Sequence, residues 1–299
     1  MEVNKRLILL FPIISGIMWS SGGVFTRILH NYGFGNISIF STRVILATII
    51  LFVVLWLFDR ESLKINIKDI WLFVGCGLLG TLLLNICYNE AAFTVSLSLA
   101  SLLLGLAPIY ALFISAIIFK EKITSIKIFC LILALFGCLL VSGILENSGL
   151  NWSLHGLIFG FGSALFWALY GIFSKLATNK GYSTSTIIFY SFLLNSIFLI
   201  PFTDWNLFTD FIISNPSTNI LIAFTHSIFT SILPYFLFSF ALEYIDNGQA
   251  TILCSGAEPT SATIWGALLF SEYPSILNLI GIIITIFALS LLTYSSNKT

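Results

Sequence analysis

Stretches of about twenty consecutive apolar residues, long enough for a helix to cross the hydrocarbon core of a bilayer, recur along the whole chain. In lipid the backbone polar groups must be satisfied internally, which a helix achieves along its own length. Hydrophobic residues make up 58% of the 299 residues and charged residues 9%, a composition that excludes a water-soluble globular domain. The sequence therefore predicts an all-α polytopic membrane protein.

Ten of these stretches are predicted to be transmembrane helices. In chain order they cover Leu7–Leu29, Ile37–Leu57, Ile70–Ala92, Val95–Phe119, Ile126–Ile144, Leu154–Ala177, Thr186–Ile200, Asn219–Tyr244, Gly248–Phe270 and Ser275–Tyr294. The seventh is the shortest, and the polar loop Pro201–Thr218 follows it.

The basic residues indicate the orientation, because Lys and Arg accumulate on the cytoplasmic side of membrane proteins. With the N-terminus inside, the basic residues on or next to the cytoplasmic side are Lys5, Arg6, Arg60, Lys64, Lys68, Lys120, Lys122, Lys127, Lys175, Lys180 and Lys298. Arg27 and Arg43 are the exceptions. The loops that would lie outside, which contain no Lys or Arg, are Asn31–Asn36, Glu146–Ser153, Pro201–Thr218 and Ser271–Pro274. We therefore expect both termini in the cytoplasm.

Two patterns of the first half return in the second half, in the same order and each at one constant spacing. The matched residues are Trp19 with Trp167, Arg27 with Lys175, Pro108 with Pro259, and Glu121 with Glu272. We therefore expect two five-helix repeats, residues 1–147 and 148–299.

Because five is an odd number, the second repeat would enter the membrane inverted relative to the first. Inverted repeats are an architecture of secondary transporters, whose substrate site lies at the repeat interface near the bilayer midplane. Pro108 and Pro259 would face each other across that interface.

In these residues, together with Arg43 near the start of the second helix, the chain resembles the drug/metabolite transporter superfamily, in its ten-helix EamA-type branch of exporters. The resemblance covers nearly the whole chain. It implies a transporter, but members of this branch export amino acids, purines, drugs and other metabolites, so it leaves the substrate open. The second half has no basic equivalent of Arg43, so any role of Arg43 applies to one repeat.

Glu258 is the strongest candidate for a functional residue. It lies beside Pro259 in the otherwise uncharged run Ile252–Phe270, where a carboxylate costs about 2.5–3.5 kcal/mol on insertion scales and usually faces a cavity. It would either exchange a proton with the solution or pair with a substrate ammonium group. The alternative is structural: an ion pair with Arg43, or a neutral acid that links two helices.

Pro108, Pro259 and Arg43 are interpreted as structural or gating residues. Pro259 removes a backbone N–H, which leaves a carbonyl one turn back for a neighbour, a water or a substrate. Arg43 lies inside the outer end of its helix, so its guanidinium could extend to the surface or bind helix-end carbonyls.

Aromatic side chains are further candidates, because they stack on planar or cationic substrates and offer polar donors. The alternative for each is a lipid-facing or interfacial position. They are Trp19, Trp167, Tyr88, Tyr110, Tyr170, Tyr235 and Trp265. Asn85 and Asn89, one turn apart, would bind substrate or join helices, and His226 would either sense pH or be satisfied by a neighbour.

The leading functional hypothesis is a secondary transporter that exports small amphipathic metabolites such as amino acids by alternating access, with a proton as the candidate coupling ion. An uncoupled facilitator and an exporter of drugs or organic cations are the alternatives. An intramembrane enzyme is disfavoured because the chain lacks a His-Glu-x-x-His motif and a Gly-x-Ser-x-Gly elbow. A nucleotide-driven pump would need a Walker A sequence, which is also absent.

No cofactor or metal is expected, since the five cysteines lie singly in apolar segments. The expected partners are a small-molecule substrate, the lipid bilayer and a coupling proton; the net charge of zero gives no reason to expect nucleic acid. The expected location is the plasma membrane of a prokaryote, as a multi-pass protein.

Overall fold

The computed structural model describes residues 5–95, 97–142, 144–146, 153–271 and 274–296, and no strand occurs within these ranges. The long helices in chain order are α1 (Leu7–Asn31), α2 (Asn36–Phe58), α3 (Ile67–Ala92), α4 (Leu99–Phe119), α5 (Ser125–Val141), α6 (Leu154–Asn179), α7 (Thr184–Phe202), α8 (Pro216–Ala241), α9 (Asn247–Phe270) and α10 (Ile276–Ser295). Eight of them are long and apolar enough to cross a membrane. The other two are α5, which is shorter, and α9, which carries Glu258.

The predicted stretches coincide with these helices to within a few residues, with one correction. The segment Pro201–Thr218 is not only a polar loop, because it contains a short helix, Trp205–Ser214. The Asp204 carboxylate caps this helix by accepting a hydrogen bond from the Leu207 N–H at 3.0 Å. Phe211 packs inward from it against Phe34.

Proline explains one irregularity in the helices. A π-helical turn, Ile228–Ile232, lies directly before Pro234 in α8. Pro234 has no N–H to donate to the carbonyl of Thr230 four residues earlier, so the regular ladder cannot continue through this turn.

The two helices that carry the matched prolines differ in regularity. In α4 the helix is interrupted at residues 105–106, and Pro108 lies in the first turn of its second part. In α9 the helix continues through Pro259. The matched prolines therefore have different local structures.

The helices pack in a regular set of pairs. Helix α1 contacts α8 and α9, α6 contacts α3 and α4, α2 contacts α7, and α5 contacts α10. Glycine permits the last of these contacts: a Cβ on Gly137 would lie 2.9 Å from the Gly281 carbonyl oxygen, and a Cβ on Gly281 would lie 2.7 Å from that of Gly137.

Polar contacts gather the ends of several helices at one face of the bundle, which we call the lysine-rich face. There α2, α4, α6 and α8 end and α3, α5, α7 and α9 begin. Lys175 of α6 pairs with Glu121 after α4, Lys127 of α5 with Asp246 before α9, and Lys180 after α6 with Asp69 of α3.

Candidate functional site

Glu258 lies where α9 is in closest contact with α1. The contact depends on Gly16, because a Cβ there would be 2.5 Å from the Cys254 carbonyl oxygen and 3.2 Å from the Glu258 nitrogen. One turn further on, the Ser20 hydroxyl donates a hydrogen bond of 2.9 Å to the Ser261 hydroxyl. The backbone that carries Glu258 is therefore held directly against α1.

The Glu258 side chain is half-buried and forms no salt bridge with Arg43 in this structure. The ion pair that the sequence offered as an alternative is thus not formed. Instead, the carboxyl group lies within electrostatic range of the hydroxyl groups of Tyr88 and Tyr235. An acid in this position is available to a proton or to a cationic group of a solute.

The carbonyl group of Ser255, one turn before Pro259, is approached by a side chain of α5. Pro259 cannot donate to the Ser255 carbonyl, and the Cys138 thiol of α5 approaches that oxygen at 3.8 Å. Ser255 also lines a small cleft together with Gly256 and Pro108. Pro108 therefore faces the turn of α9 that precedes Pro259.

Aromatic rings from α1, α6 and α8 form one cluster beside this site. Trp19 packs edge to face on both Trp167 and Tyr235, with ring centroids 4.8 Å apart in each case. Tyr170 stacks on Trp167 at 5.6 Å, and its hydroxyl lies 2.7 Å from the Ser239 hydroxyl. Trp167, Tyr170 and Tyr235 are buried, whereas Trp19 is half-buried and forms the accessible edge of the cluster.

The polar candidates of α3 occupy half-buried positions. The Tyr88 hydroxyl lies 2.9 Å from the Ser101 hydroxyl of α4, and the Asn85 amide donates to the Thr81 carbonyl at 2.8 Å. Asn89 makes no hydrogen bond to the part of the chain that the structure describes, so its amide is open to other partners. Tyr110 packs on the core from α4.

Arg43 and His226 line a second cleft at the opposite face of the bundle from the lysine-rich face. Arg43 donates to the Thr230 carbonyl at 3.4 Å, the carbonyl that Pro234 cannot bond. Its guanidinium also lies 5.1 Å from the centroid of the Phe40 ring. His226 is 2% exposed and stacks on Phe25 with centroids 4.9 Å apart.

A largely buried ion pair between Lys175 and Glu121 was not predicted from the sequence, which singled out Glu121 only as the match of Glu272. The Lys175 ammonium donates to the Glu121 carboxylate at 2.8 Å and to the Ile245 carbonyl at 3.1 Å. The side chains of Lys175 and Glu121 are 15% and 9% exposed. Glu121 also accepts from the backbone N–H of Asn247, whose amide donates to Ser115 at 3.1 Å.

The structure thus brings Glu258, Trp19, Trp167 and Tyr235 together around α1 and places Arg43 and His226 in a separate cleft. Tyr170 belongs to the aromatic cluster as closely as Trp167 does. Tyr170 follows Trp167 by three residues, about one helical turn, so the sequence already places both on the same face of α6.

Long apolar helices that carry a single acid in an otherwise uncharged run are typical of membrane proteins that move ions or solutes. The chain belongs to the EamA-like transporter family, whose sequence profile matches residues 6–143 and again residues 154–294.

Curated relatives carry transporter names. An uncharacterized transporter of Clostridium kluyveri is 25% identical over 80% of this chain and 76% of its own length. The uncharacterized transporter YxxF of Bacillus subtilis is 26% identical over 94% of this chain and 87% of its own. The riboflavin transporter ImpX of Fusobacterium nucleatum is 29% identical over 71% and 74%.

The fold also occurs in a solved structure. A crystal structure that is 14% identical in sequence superimposes with a TM-score of 0.76 over 99% of each chain. At this identity the match concerns the fold alone. Multiple apolar helices and bacterial transporter relatives make this protein a multi-pass protein of the prokaryotic plasma membrane.

Proposed function

We propose that this protein is a secondary transporter that exports small amphipathic metabolites, such as amino acids, by alternating access, and that Glu258 loads and releases the coupling proton. The observation that carries the proposal is the half-buried Glu258 side chain, which has no ion-pair partner among the described residues and belongs to a turn of α9 whose backbone lies against α1, beside the aromatic cluster. A carboxyl group in such a site must either bind a proton or neutralise a cation.

The proposed architecture is ten transmembrane helices in two inverted five-helix repeats, residues 1–147 and 148–299, with both termini in the cytoplasm. Three observations support it. The family profile matches twice along the chain. The helix contacts also match between the halves, in which α1 corresponds to α6, α3 to α8 and α4 to α9. The contact of α1 with α9 corresponds to that of α6 with α4, and the contact of α1 with α8 to that of α6 with α3. The third observation concerns the backbone.

Within the described chain, Lys120 and Ser271 are the non-glycine residues with positive φ, at 56° and 55°. Lys120 directly follows α4 and Ser271 directly follows α9. These are matched positions of the two halves, immediately before Glu121 and Glu272; Glu272 itself lies outside the described residues. A shared left-handed residue at matched helix ends supports a common origin of the two repeats, because this conformation is uncommon outside glycine.

Alternating access requires that one side of the path be closed while the other is open. We assign the lysine-rich face to the cytoplasm by the positive-inside rule. The pairs Lys175–Glu121 and Lys127–Asp246 link α6 to α4 and α5 to the start of α9 at that face. These contacts would close the cytoplasmic side and would separate when it opens.

A planar aromatic solute is the second candidate class. It is favoured by the cluster of Trp19, Trp167 and Tyr235, whose rings would stack on a flat heterocycle. The name of the Fusobacterium nucleatum relative, a riboflavin transporter, agrees with this class.

Flux into proteoliposomes tests the proposal. Labelled amino acids, purines, organic cations and riboflavin are screened with and without an imposed pH gradient, with Glu258→Gln and the matched control Glu61→Gln, whose side chain is 81% exposed. We expect gradient-dependent flux that Glu258→Gln abolishes and Glu61→Gln leaves unchanged. Flux that ignores the gradient and survives Glu258→Gln would refute coupling and indicate a facilitator.

A further inference from the structure

A cleft at the opposite face from the lysine-rich face is lined by the guanidinium of Arg43 and the imidazole of His226, and by no acidic side chain. Its lining includes Arg43 from α2, His226 from α8 and Phe208 from the short helix Trp205–Ser214. Its cavity volume is about 10 Å³, which is room for one water-sized group, and it opens to the surroundings. A solute would therefore insert a carboxylate oxygen while the rest of the molecule lies outside the cleft.

The donors of Arg43 are incompletely used. A guanidinium carries five N–H donors in a planar fork. Within the part of the chain that the structure describes, Arg43 makes one hydrogen bond, a long one of 3.4 Å to the Thr230 carbonyl, and forms no salt bridge. An arginine at membrane depth is costly unless its charge is paired or solvated, so the remaining donors are suited to an anion.

The surroundings of Arg43 favour an anion over a cation. His226 adds an imidazole to the same cleft, and a ring N–H of a neutral imidazole can donate a hydrogen bond to an anion. The wall that faces them is apolar, with Phe34 and Phe211 1% and 3% exposed. Low polarity strengthens a charge-assisted hydrogen bond, because water does not compete for the donors.

One tyrosine interacts electrostatically with a residue of the cleft and with the proposed coupling residue. Tyr235 lies within electrostatic range of both Arg43 and Glu258. Arg43 and Glu258, one basic and one acidic, thus both act electrostatically on this tyrosine of the aromatic cluster. This arrangement is complementary to an amphipathic solute with both an ammonium and a carboxylate group.

We propose that the cleft between α2, α8 and the short helix Trp205–Ser214 is a carboxylate-binding subsite, in which the Arg43 fork holds the acid group of the transported solute beside His226. This inference deepens the proposed function, because it assigns the acid end of the solute, whereas Glu258 serves the proton or the ammonium end. The shared chemistry, an anionic oxygen group, could also come from a lipid headgroup.

Equilibrium binding of a matched pair of probes tests the subsite without any transport. Radiolabelled phenylacetate and neutral phenylacetamide have the same ring and differ in charge, so their affinities are measured on purified protein in nanodiscs. We expect phenylacetate to bind at least about tenfold more tightly than phenylacetamide. We also expect Arg43→Gln to abolish this preference and Arg43→Lys to retain only part of it, because Lys lacks the planar fork.

Two controls make the outcome decisive. Thermal unfolding of each variant in the same nanodiscs confirms that it folds, and Arg60→Gln removes an exposed arginine outside the cleft. Nanodiscs of phosphatidylcholine and of phosphatidylglycerol separate the two sources of the anionic group. Competition by phosphatidylglycerol that Arg43→Gln removes would assign the subsite to lipid and overturn the solute assignment.

The proposal would also be overturned if the unmodified protein bound the two probes with equal affinity. The same holds if folded Arg43→Gln protein lost affinity for phenylacetate and phenylacetamide by the same factor. Because Glu258 is intact in these variants and no flux is measured, these results are independent of proton coupling. Conversely, a failure of coupling in the flux experiment would leave the probe preference unchanged.

Discussion

Trp19 and Trp167, which occupy matched positions in the two halves of the chain, meet edge to face with ring centroids 4.8 Å apart and an interplanar angle of 89°. The contact joins α1 to α6, the first helix of each half. Tyr235 of α8 also packs edge to face on Trp19 at 4.8 Å, and its ring lies 6.3 Å from that of Trp167. The half-exposed edge of Trp19 is thus fixed by two rings, which gives a rigid aromatic surface next to the turn that carries Glu258.

A double-mutant cycle measures the Trp19–Trp167 contact. Edge-to-face pairs contribute about 0.5–1.5 kcal/mol beyond the area that they bury. We expect Trp19→Leu and Trp167→Leu each to lower the stability in detergent, and the double variant to lose less than the sum by about that amount. Strict additivity of the two changes in denaturant unfolding would show that the ring geometry contributes nothing.

Close approach of α1 to α9 predicts the effect of a single methyl group. In Gly16→Ala the new Cβ would lie 2.5 Å from the Cys254 carbonyl oxygen, so the helices must separate. We expect a loss of about 1–3 kcal/mol in stability and a reduced flux, because the Glu258 backbone moves with α9.

Gly23→Ala is the matched control for this variant, since a Cβ at Gly23 meets nothing within 4 Å. Thermal unfolding and flux are measured for both variants. If Gly16→Ala and Gly23→Ala have equal unfolding temperatures and equal flux, α1 and α9 do not approach closely at Gly16.

The largely buried pair Lys175–Glu121 predicts a large effect from removing one charge. Breaking a buried pair leaves an uncompensated charge and costs about 3–5 kcal/mol, so we expect Lys175→Met to be severely destabilised and Glu121→Gln to be destabilised less, since Gln still accepts a hydrogen bond. Lys64→Met breaks the exposed pair with Glu61 and should change stability by less than about 1 kcal/mol. Equal unfolding temperatures for Lys175→Met and Lys64→Met would contradict the buried pair.

The helices were predictable because lipid leaves the backbone few alternatives, so apolar length alone locates them. Glu258 was identifiable because a single acid in an apolar run is conspicuous. Trp19 and Trp167 were singled out by their matched positions, and the structure places them in contact.

Other features could not be predicted because they depend on contacts between distant parts of the chain. The pairing of Lys175 with Glu121 requires the ends of α4 and α6 to meet, which no local pattern reveals. The Arg43–Thr230 bond requires the proline of another helix to free a carbonyl. The helix Trp205–Ser214 was missed because its polar residues, which include Asn206 and Asp210, resemble those of a loop.

Proton movement on addition of solute is the most direct test of the central claim that Glu258 couples transport to a proton. Proteoliposomes loaded with a pH-sensitive dye receive a transported solute with no imposed gradient, and internal pH is followed for the unmodified protein, Glu258→Gln and Glu61→Gln. The account predicts a pH change with the unmodified protein and Glu61→Gln and none with Glu258→Gln, while Glu258→Gln still exchanges labelled for unlabelled solute. A pH change of equal size in Glu258→Gln would contradict it.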